Sequence, residues 1–328
     1  MPQFSFAGQV ALVTGAAGAI GRAIATELAL RGARVVVNDY GGDTAGVGAS
    51  ADRAEAVAAE IRALGVEAIA NSDPVGSAES ARAIVDTAMR AFGRVDILVN
   101  NAGIALPGLI TDHADEQVDA VFRANLIGPY ALARTVWPIM REQGYGRVLN
   151  TSSNSAFGLG ANAPYSTTKA GLIGLTLDNA IEGKRHGILV NAMMPVALSR
   201  MIEQIPSPEF VAWFRRNFPA DKVARGIIPL LAKESTKTGR IYVAGGGRLA
   251  RVAFAEARGW VNPDITSELA AAHFAQADDM TDAVILDDHF SSMNLLHESF
   301  PFEATAPQLD QNTVVGSGPQ ASSGASRL

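Results

Sequence analysis

The chain has 328 residues, 48% apolar and 18% charged, with a net charge of −6 and no cysteine. This composition suits a globular enzyme with a large core and excludes a disulfide framework, a zinc–thiolate site and a thiol nucleophile. The acidic balance gives no electrostatic basis for binding nucleic acid or an anionic membrane; no apolar run is long enough to cross a bilayer, and Met1–Gly8 lacks the basic and apolar regions of a secretory leader.

Short apolar runs alternate with helical patterns from the start of the chain. Val10–Val13 reads as a buried strand, followed by an Ala-rich helix from about Ile20 to Leu30. Arg34–Asn38 is the next strand. Ala51–Leu64 has apolar residues at helical spacing and ends at Gly65, a C-cap. Ala68–Asn71, Ile97–Asn100, Gly146–Asn150, Leu189–Met193 and Arg240–Val243 complete the set of β-like runs, with helices fitting between them. Such alternation predicts a parallel sheet covered on both faces. Pro195 to Gly226, rich in Pro, aromatics and Met, reads as a mobile loop with short helices. After about Val261 the rhythm is lost: Ser267–Ala277 reads as one helix, and the Pro/Gly/Ser/Gln-rich stretch from Phe300 reads as disordered.

The first strand runs into Thr14-Gly15-Ala16-Ala17-Gly18-Ala19-Ile20-Gly21. Small residues at a strand-to-helix turn let backbone N–H groups approach a pyrophosphate, and the helix N-terminus favours its charge. A glycine-rich turn alone is a weak signal, since it also suits tight helix–strand packing. The second strand, however, ends at Asp39, about the spacing at which a dinucleotide site places its ribose-binding carboxylate. With no Arg or Lys in Tyr40–Asp43, NAD(H) is favoured over NADP(H). Asp73, after the third run, is a second candidate near the adenine, and as an Asp before Pro74 it is equally a turn former. Tyr165 and Lys169 share a helix face at i,i+4. There the ammonium is expected to favour tyrosinate and equip the tyrosine as a proton acceptor.

The turn Thr14–Gly21, Asn100-Asn101-Ala102-Gly103 after the fourth strand and Tyr165-Ser166-Thr167-Thr168-Lys169 occur in the order of the short-chain dehydrogenases/reductases, which the chain resembles over roughly residues 7–260. Val36–Asp43 with Gly46-Val47-Gly48, then Gly144–Arg147, Ala180–Gly183, and Pro195 with Ser199-Arg200-Met201, resemble the (3R)-hydroxyacyl-CoA dehydrogenases of peroxisomal β-oxidation and their bacterial relatives. The resemblance implies a doubly wound Rossmann fold with seven parallel strands, NAD as cofactor and a (3R)-hydroxyacyl-CoA or 17β-hydroxysteroid as substrate. It implies Tyr165 as base, Lys169 on the nicotinamide ribose, Asn125 holding a relay water, and a serine binding the substrate oxygen. Alignment on the strand end selects Ser153, while counting back from Tyr165 selects Ser152; Ser153 is preferred because loops absorb deletions. Gly15, Gly18, Ile20, Gly21, Asn101, Ala102, Gly103, Pro195, Val196 and Ser199 are the implied cofactor contacts, with Asn100 left to local backbone groups. The helices near 115–142 and 164–182 are the implied contact of a homodimer or homotetramer. Two positions depart from the family: Ala19 stands where glycine is usual, implying a looser pyrophosphate contact, and Val196 follows Pro195 where the wider family has glycine.

The expected organisation is a Rossmann domain over 1–260 with a lid near 196–226, an extension over 261–300 and a disordered tail over 301–328. The five histidines lack metal spacing, so no metal is expected. Asp278-Asp279 and Asp287-Asp288 read as solvated. Trp213, Phe214 and Phe218 suit either a substrate pocket or a lid helix packed on the core; Arg215, Arg216, Arg248 and Arg251 suit a solvated face better than CoA phosphates. A reductase working in synthesis and a silent NAD-binding protein are the rivals. Asp39 argues against the first, and the intact Tyr165, Lys169, Ser153 and Asn125 argue against the second. The terminal Ser326-Arg327-Leu328 resembles a peroxisomal address, but Arg and Ala abundance suggests a bacterial gene; a cytoplasmic location is expected, with the peroxisome left open.

Overall fold

Val10–Thr14 is a run of five buried residues, the signature of a strand covered on both faces. In the computed structural model, which describes residues 4–300, this strand (β1) lies inside a sheet. The chain continues through α1 (Ala19–Ala29), β2 (Arg34–Asn38), α2 (Ala51–Ala63), β3 (Ala68–Asn71), α3 (Ala78–Phe92) and β4 (Ile97–Asn100). Helix α4 (Asp115–Phe122) passes through a π-helical turn, Arg123–Ile127, into α5 (Gly128–Gln143). Then come β5 (Gly146–Thr151), a 3-10 turn at Asn154–Phe157, α6 (Ala163–Lys184), β6 (Ile188–Pro195), α7 (Arg200–Glu203), α8 (Pro208–Asn217), α9 (Ala220–Leu231), β7 (Ile241–Gly245) and β8 (Arg248–Val252).

The sheet order is β3-β2-β1-β4-β5-β6-β7-β8. The seven expected parallel strands are present, joined by an eighth that the sequence reading missed. β8 pairs antiparallel with β7 across Gly246 and Gly247, both at positive φ (61° and 91°), where glycine lets a tight hairpin follow the sheet's twist. One face is filled by α1, α2 and α9 through Ile24, Leu28, Ile61, Ile227 and Ile228. The other is filled by α3 and α5 through Ile84, Val85, Leu132, Val136 and Met140. Residues 220–226, expected to belong to a mobile lid, instead open α9, whose Val223 and Ala224 are fully buried. Their apolar side chains at helical spacing face the sheet, so the irregular segment after β6 ends at Pro219.

Asparagines close the C-terminal edge of the sheet. Asn38 donates to Asn71 at 2.7 Å, Asn100 donates to Asn150 at 2.9 Å, and Asn150 donates to Thr176 of α6 at 2.9 Å. These bonds give buried side-chain amides partners where the ladder ends, while the Asn100 Oδ1 accepts no hydrogen bond. Asn100, expected to serve local backbone groups, thus ties β4 to β5.

The chain divides into two units after Ala253. In the second, strands β9 (Phe254–Glu256) and β10 (Val284–Leu286) pair antiparallel. Helices α10 (Ser267–Ala277) and α11 (His289–Ser299) accompany them, and Trp260 stacks on His273 with centroids 4.1 Å apart. The tail read as disordered, 301–328, lies outside the described residues.

Candidate active site

The β1–α1 turn is held by close backbone packing. Gly15 has φ +61°, and a Cβ there would stand 2.8 Å from the Ala102 Cα; a Cβ on Gly21 would meet the Gly15 carbonyl oxygen at 2.3 Å. Only glycine fits either place. Gly18 is the N-cap of α1, in extended conformation and without a side-chain cap, and the first turn contains no acidic residue. The N–H groups of Ala19, Ile20 and Gly21, which by position have no intrahelical acceptor, present the donors and positive dipole end that a pyrophosphate needs. Ala19 is exposed, so its methyl lies on the solvent side of the turn.

Asp39, buried beyond the end of β2, has both carboxylate oxygens engaged. It accepts the Ala17 N–H at 2.9 Å and the Gly41 N–H at 2.8 Å. The side chain therefore ties the glycine-rich turn to the loop after β2. Each oxygen keeps a second acceptor position for a ribose hydroxyl, so the donor and acceptor set here fits a dinucleotide with free 2′ and 3′ hydroxyls. Asp73, read as an adenine contact or a turn former, has its carboxylate accepting from Asn71 at 2.8 Å and its carbonyl accepting from Asn38 at 2.9 Å. These bonds make it a brace of the β2–β3 edge.

The sequence reading missed Thr14. Its hydroxyl accepts the N–H groups of Asn101 and Ala102 at 3.0 and 3.1 Å and donates to the Val99 carbonyl at 3.3 Å. The Asn101 amide in turn donates to the carbonyls of Thr14 and Gly15 at 3.0 and 3.1 Å. The segment after β4 and the glycine-rich turn are thus locked across the point where strand order reverses, the usual ligand crevice of such sheets.

On the far side of that crevice, β5 delivers a serine pair to α6. Ser152 is buried and its hydroxyl donates to the Lys169 carbonyl at 2.7 Å. Ser153 lies close enough to the Tyr165 hydroxyl to favour its ionised form, while its own hydroxyl accepts the Ser155 N–H at 3.1 Å as cap of the 3-10 turn. Lys169 is buried and donates to the Thr151 carbonyl at 2.7 Å. Its Nζ lies over the Tyr165 ring, 5.4 Å from the centroid.

Burial pushes the Tyr165 hydroxyl above its ordinary pKa, and the Ser153 hydrogen bond pulls against that. The Lys169 ammonium faces the ring and the Thr151 carbonyl. Burial also lowers Lys169 itself, to about 8.

Asn125 is fully buried in the π-helical turn. Pro129 has no N–H to offer the carbonyl four residues earlier, a recognised cause of helix distortion. The Asn125 amide accepts the Ile104 N–H at 2.8 Å and donates to the Ile104 carbonyl at 2.9 Å. It also donates to Thr168 of α6 at 3.3 Å. Gly103 lies between: a Cβ there would be 3.2 Å from Asn125 Oδ1 and 3.3 Å from Lys169 Nζ. Tyr165, Lys169, Ser153 and Asn125 are thereby brought to one end of the crevice, with Gly103 between Lys169 and Asn125.

After β6, Val196 donates to the Ala244 carbonyl at 2.8 Å, and the missing Cβ of Gly245 leaves room for the Val196 carbonyl 2.2 Å from where it would stand. Pro195 pairs with Ala244 in the sheet, and Ser199 is the N-cap of α7. On α8, Phe210, Trp213 and Phe214 join Phe218 in one cluster, with neighbouring centroids 4.9–5.9 Å apart. Phe214 is buried and Trp213 half exposed. Arg215 reaches Glu203 at 3.5 Å. Among the described residues no three His, Asp or Glu side chains converge as a metal site, and no helix is long and apolar enough to cross a membrane.

A family model for the short chain dehydrogenases matches residues 9–206. The chain is 37% identical over 286 residues to the peroxisomal hydratase-dehydrogenase-epimerase of Neurospora crassa, a match covering 85% of this chain and 31% of that protein. In structure it is similar to a short chain dehydrogenase from Mycobacterium avium (TM-score 0.68, 33% identity, 84% of this chain and 97% of that one). It is also similar to the full-length peroxisomal multifunctional enzyme type 2 from Drosophila melanogaster (TM-score 0.73, 27% identity, 90% and 49%). The chain thus spans less than two thirds of the length of these peroxisomal relatives.

Proposed function

This chain belongs to the short-chain dehydrogenase family and is an oxidoreductase, and on that premise we propose that it interconverts a secondary alcohol and a ketone with NAD(H). The observation that carries the proposal is the gathering of buried Lys169 against the Tyr165 ring, 5.4 Å from its centroid, with Asn125 across Gly103 from the Lys169 ammonium. The glycine-rich turn and Asp39 would hold the dinucleotide, which would supply the hydride acceptor for oxidation and the hydride donor for reduction. Ser153 donates a hydrogen bond to the substrate oxygen and stabilises its developing charge. Tyr165 takes the hydroxyl proton during oxidation and gives it back during reduction. Lys169 holds the Tyr165 ring against β5, and Asn125 fixes the segment after β4 beside both.

The cofactor reading rests on Asp39. A carboxylate already holding two backbone N–H groups stays in place to accept ribose hydroxyls and repels a phosphate at the 2′ position. The substrate proposal, a (3R)-hydroxyacyl-CoA ahead of a 17β-hydroxysteroid, rests on the likeness to the peroxisomal enzymes. Exposed Ile127 and Tyr130 at the start of α5 support a homodimer or homotetramer through α5 and α6. The test is NAD reduction with (3R)-hydroxyacyl-CoAs and 17β-hydroxysteroids side by side. Turnover of a hydroxyacyl-CoA with NAD and not NADP is the expected result; turnover of neither class overturns the substrate proposal.

A further inference from the structure

In the sheet, β2 lies on one side of β1 while β4 and β6 lie on the other. A loop after β2 that touches the segments after β4 and β6 must therefore cross above the C-terminal end of β1, where the glycine-rich turn begins. Residues 41–48 make that crossing. The Thr44 carbonyl accepts the Ala105 N–H at 3.0 Å. The Thr44 hydroxyl donates to Gln204 Oε1 at 3.1 Å and accepts from its Nε2 at 3.0 Å. Arg200 donates to the Gly42 carbonyl at 3.0 Å, and a Cβ on Gly46 would stand 3.2 Å from the Ile104 side chain. The loop is also braced from within. The Asp43 carboxylate accepts the Ala45 and Val47 N–H groups, each at 2.9 Å, and Arg53 donates to the Gly42 carbonyl at 3.0 Å.

We infer that residues 41–48 are a strap over the dinucleotide, latched by Thr44–Gln204 and Arg200–Gly42, that the cofactor must open to leave. The inference rests on the dinucleotide reading above and adds the Thr44–Gln204 contact, whose two residues lie outside the segments that carry the family resemblance. Asp43 Oδ1 is taken up by the N–H groups of its own turn, which holds the shape of the strap from within. Its latch bonds are made by exposed side chains, each contributing modestly, so the closed form can still open. Because Arg200 and Gln204 belong to the irregular segment after β6, the strap also links cofactor release to the position of α7.

The experiment follows NADH release by stopped-flow fluorescence in the full chain. Parent, Thr44→Val, Gln204→Ala and the double variant form one cycle, with Arg215→Ala as a neighbour outside the latch. Each latch variant is expected to speed release roughly five- to tenfold, the effect of losing one such bond. The double variant should be no faster than either single, because both remove the same contact. Unchanged release rates, multiplying effects in the double variant, or equal acceleration by Arg215→Ala overturn the strap. If the parent binds NADPH instead, the same cycle is run with NADPH, and only the NAD preference falls. A parent that binds neither dinucleotide overturns both readings.

Discussion

Asn125 and Ile104 are joined by a two-way hydrogen bond: the amide of one accepts from and donates to the backbone of the other, at 2.8 and 2.9 Å. This is the pairing of a β-ladder made with a side chain, and it fixes a loop that has no ladder of its own. Asn125→Leu keeps the volume but leaves a buried N–H and a buried C=O without partners. The expected cost is about 1–3 kcal/mol of stability, read by denaturant unfolding, together with a fall in kcat as the segment beside Lys169 loosens. A variant with unchanged unfolding midpoint refutes the pairing.

Ser152 and Ser153 are adjacent and opposite in task. Ser153→Ala removes the hydroxyl facing Tyr165 and is expected to lower kcat by about 10²–10³, the range for losing one donor to a developing oxyanion. Ser152→Ala removes a bond to a helix carbonyl and is expected to cost about 1 kcal/mol of stability with kcat nearly retained. Steady-state kinetics and thermal unfolding of the two variants separate the roles; the reverse pattern assigns catalysis to Ser152.

Tyr165→Phe is expected to bind NADH as the parent does and to lose more than nine tenths of the turnover, since it removes the proton acceptor and almost no volume. Fluorescence titration checks the first and NAD reduction the second. Appreciable residual turnover moves the base elsewhere.

Asp39→Arg is expected to shift kcat/KM from NAD towards NADP. The guanidinium removes the repulsion of a 2′-phosphate and offers it a fork of donors. NAD affinity should fall further than the loss of ribose contacts alone explains, because Ala17 and Gly41 lose their acceptor as well. Dissociation constants for both cofactors, with the unfolding midpoint, test this. A parent that already prefers NADP, or an unchanged ratio in the variant, removes Asp39 as discriminator.

Lys169 gives the fold a pH signature. Burial lowers its pKa from 10.5 to about 8, so between those values the unfolded chain binds the proton that the folded chain has released. Stability relative to Lys169→Met should therefore rise with pH from about 8 towards 10.5 and be level below 8, where both states hold the proton. Tyr165, pushed up from 10.0, opposes this only above about 10. Urea unfolding of both proteins at several pH values from 7 to 9.5 checks the sign. A difference that falls over this range contradicts the burial of an ammonium.

Local sequence determined the strands, the glycine-rich turn and the identity of the reactive side chains. Runs such as Val10–Thr14 have one stable fate, a strand covered on both faces. Gly15 and Gly21 announce themselves because no other residue tolerates the backbone approach at those positions. Tyr165 and Lys169 share a helix face by spacing alone. What tertiary structure decided was direction and partnership. Which of two adjacent serines faces the tyrosine depends on where β5 ends against α6, and no sequence spacing fixes that. The Lys169 ammonium is anchored by the Thr151 carbonyl, a backbone group with no sequence signal, and the upward shift of Tyr165 comes from burial, which only packing sets. Thr14, Asn125 and the loop at 41–48 act through partners 21 to 160 residues away in the chain. Local propensity describes what a segment does alone; it carries no record of a hydrogen bond that forms only when the sheet brings distant segments to the same edge.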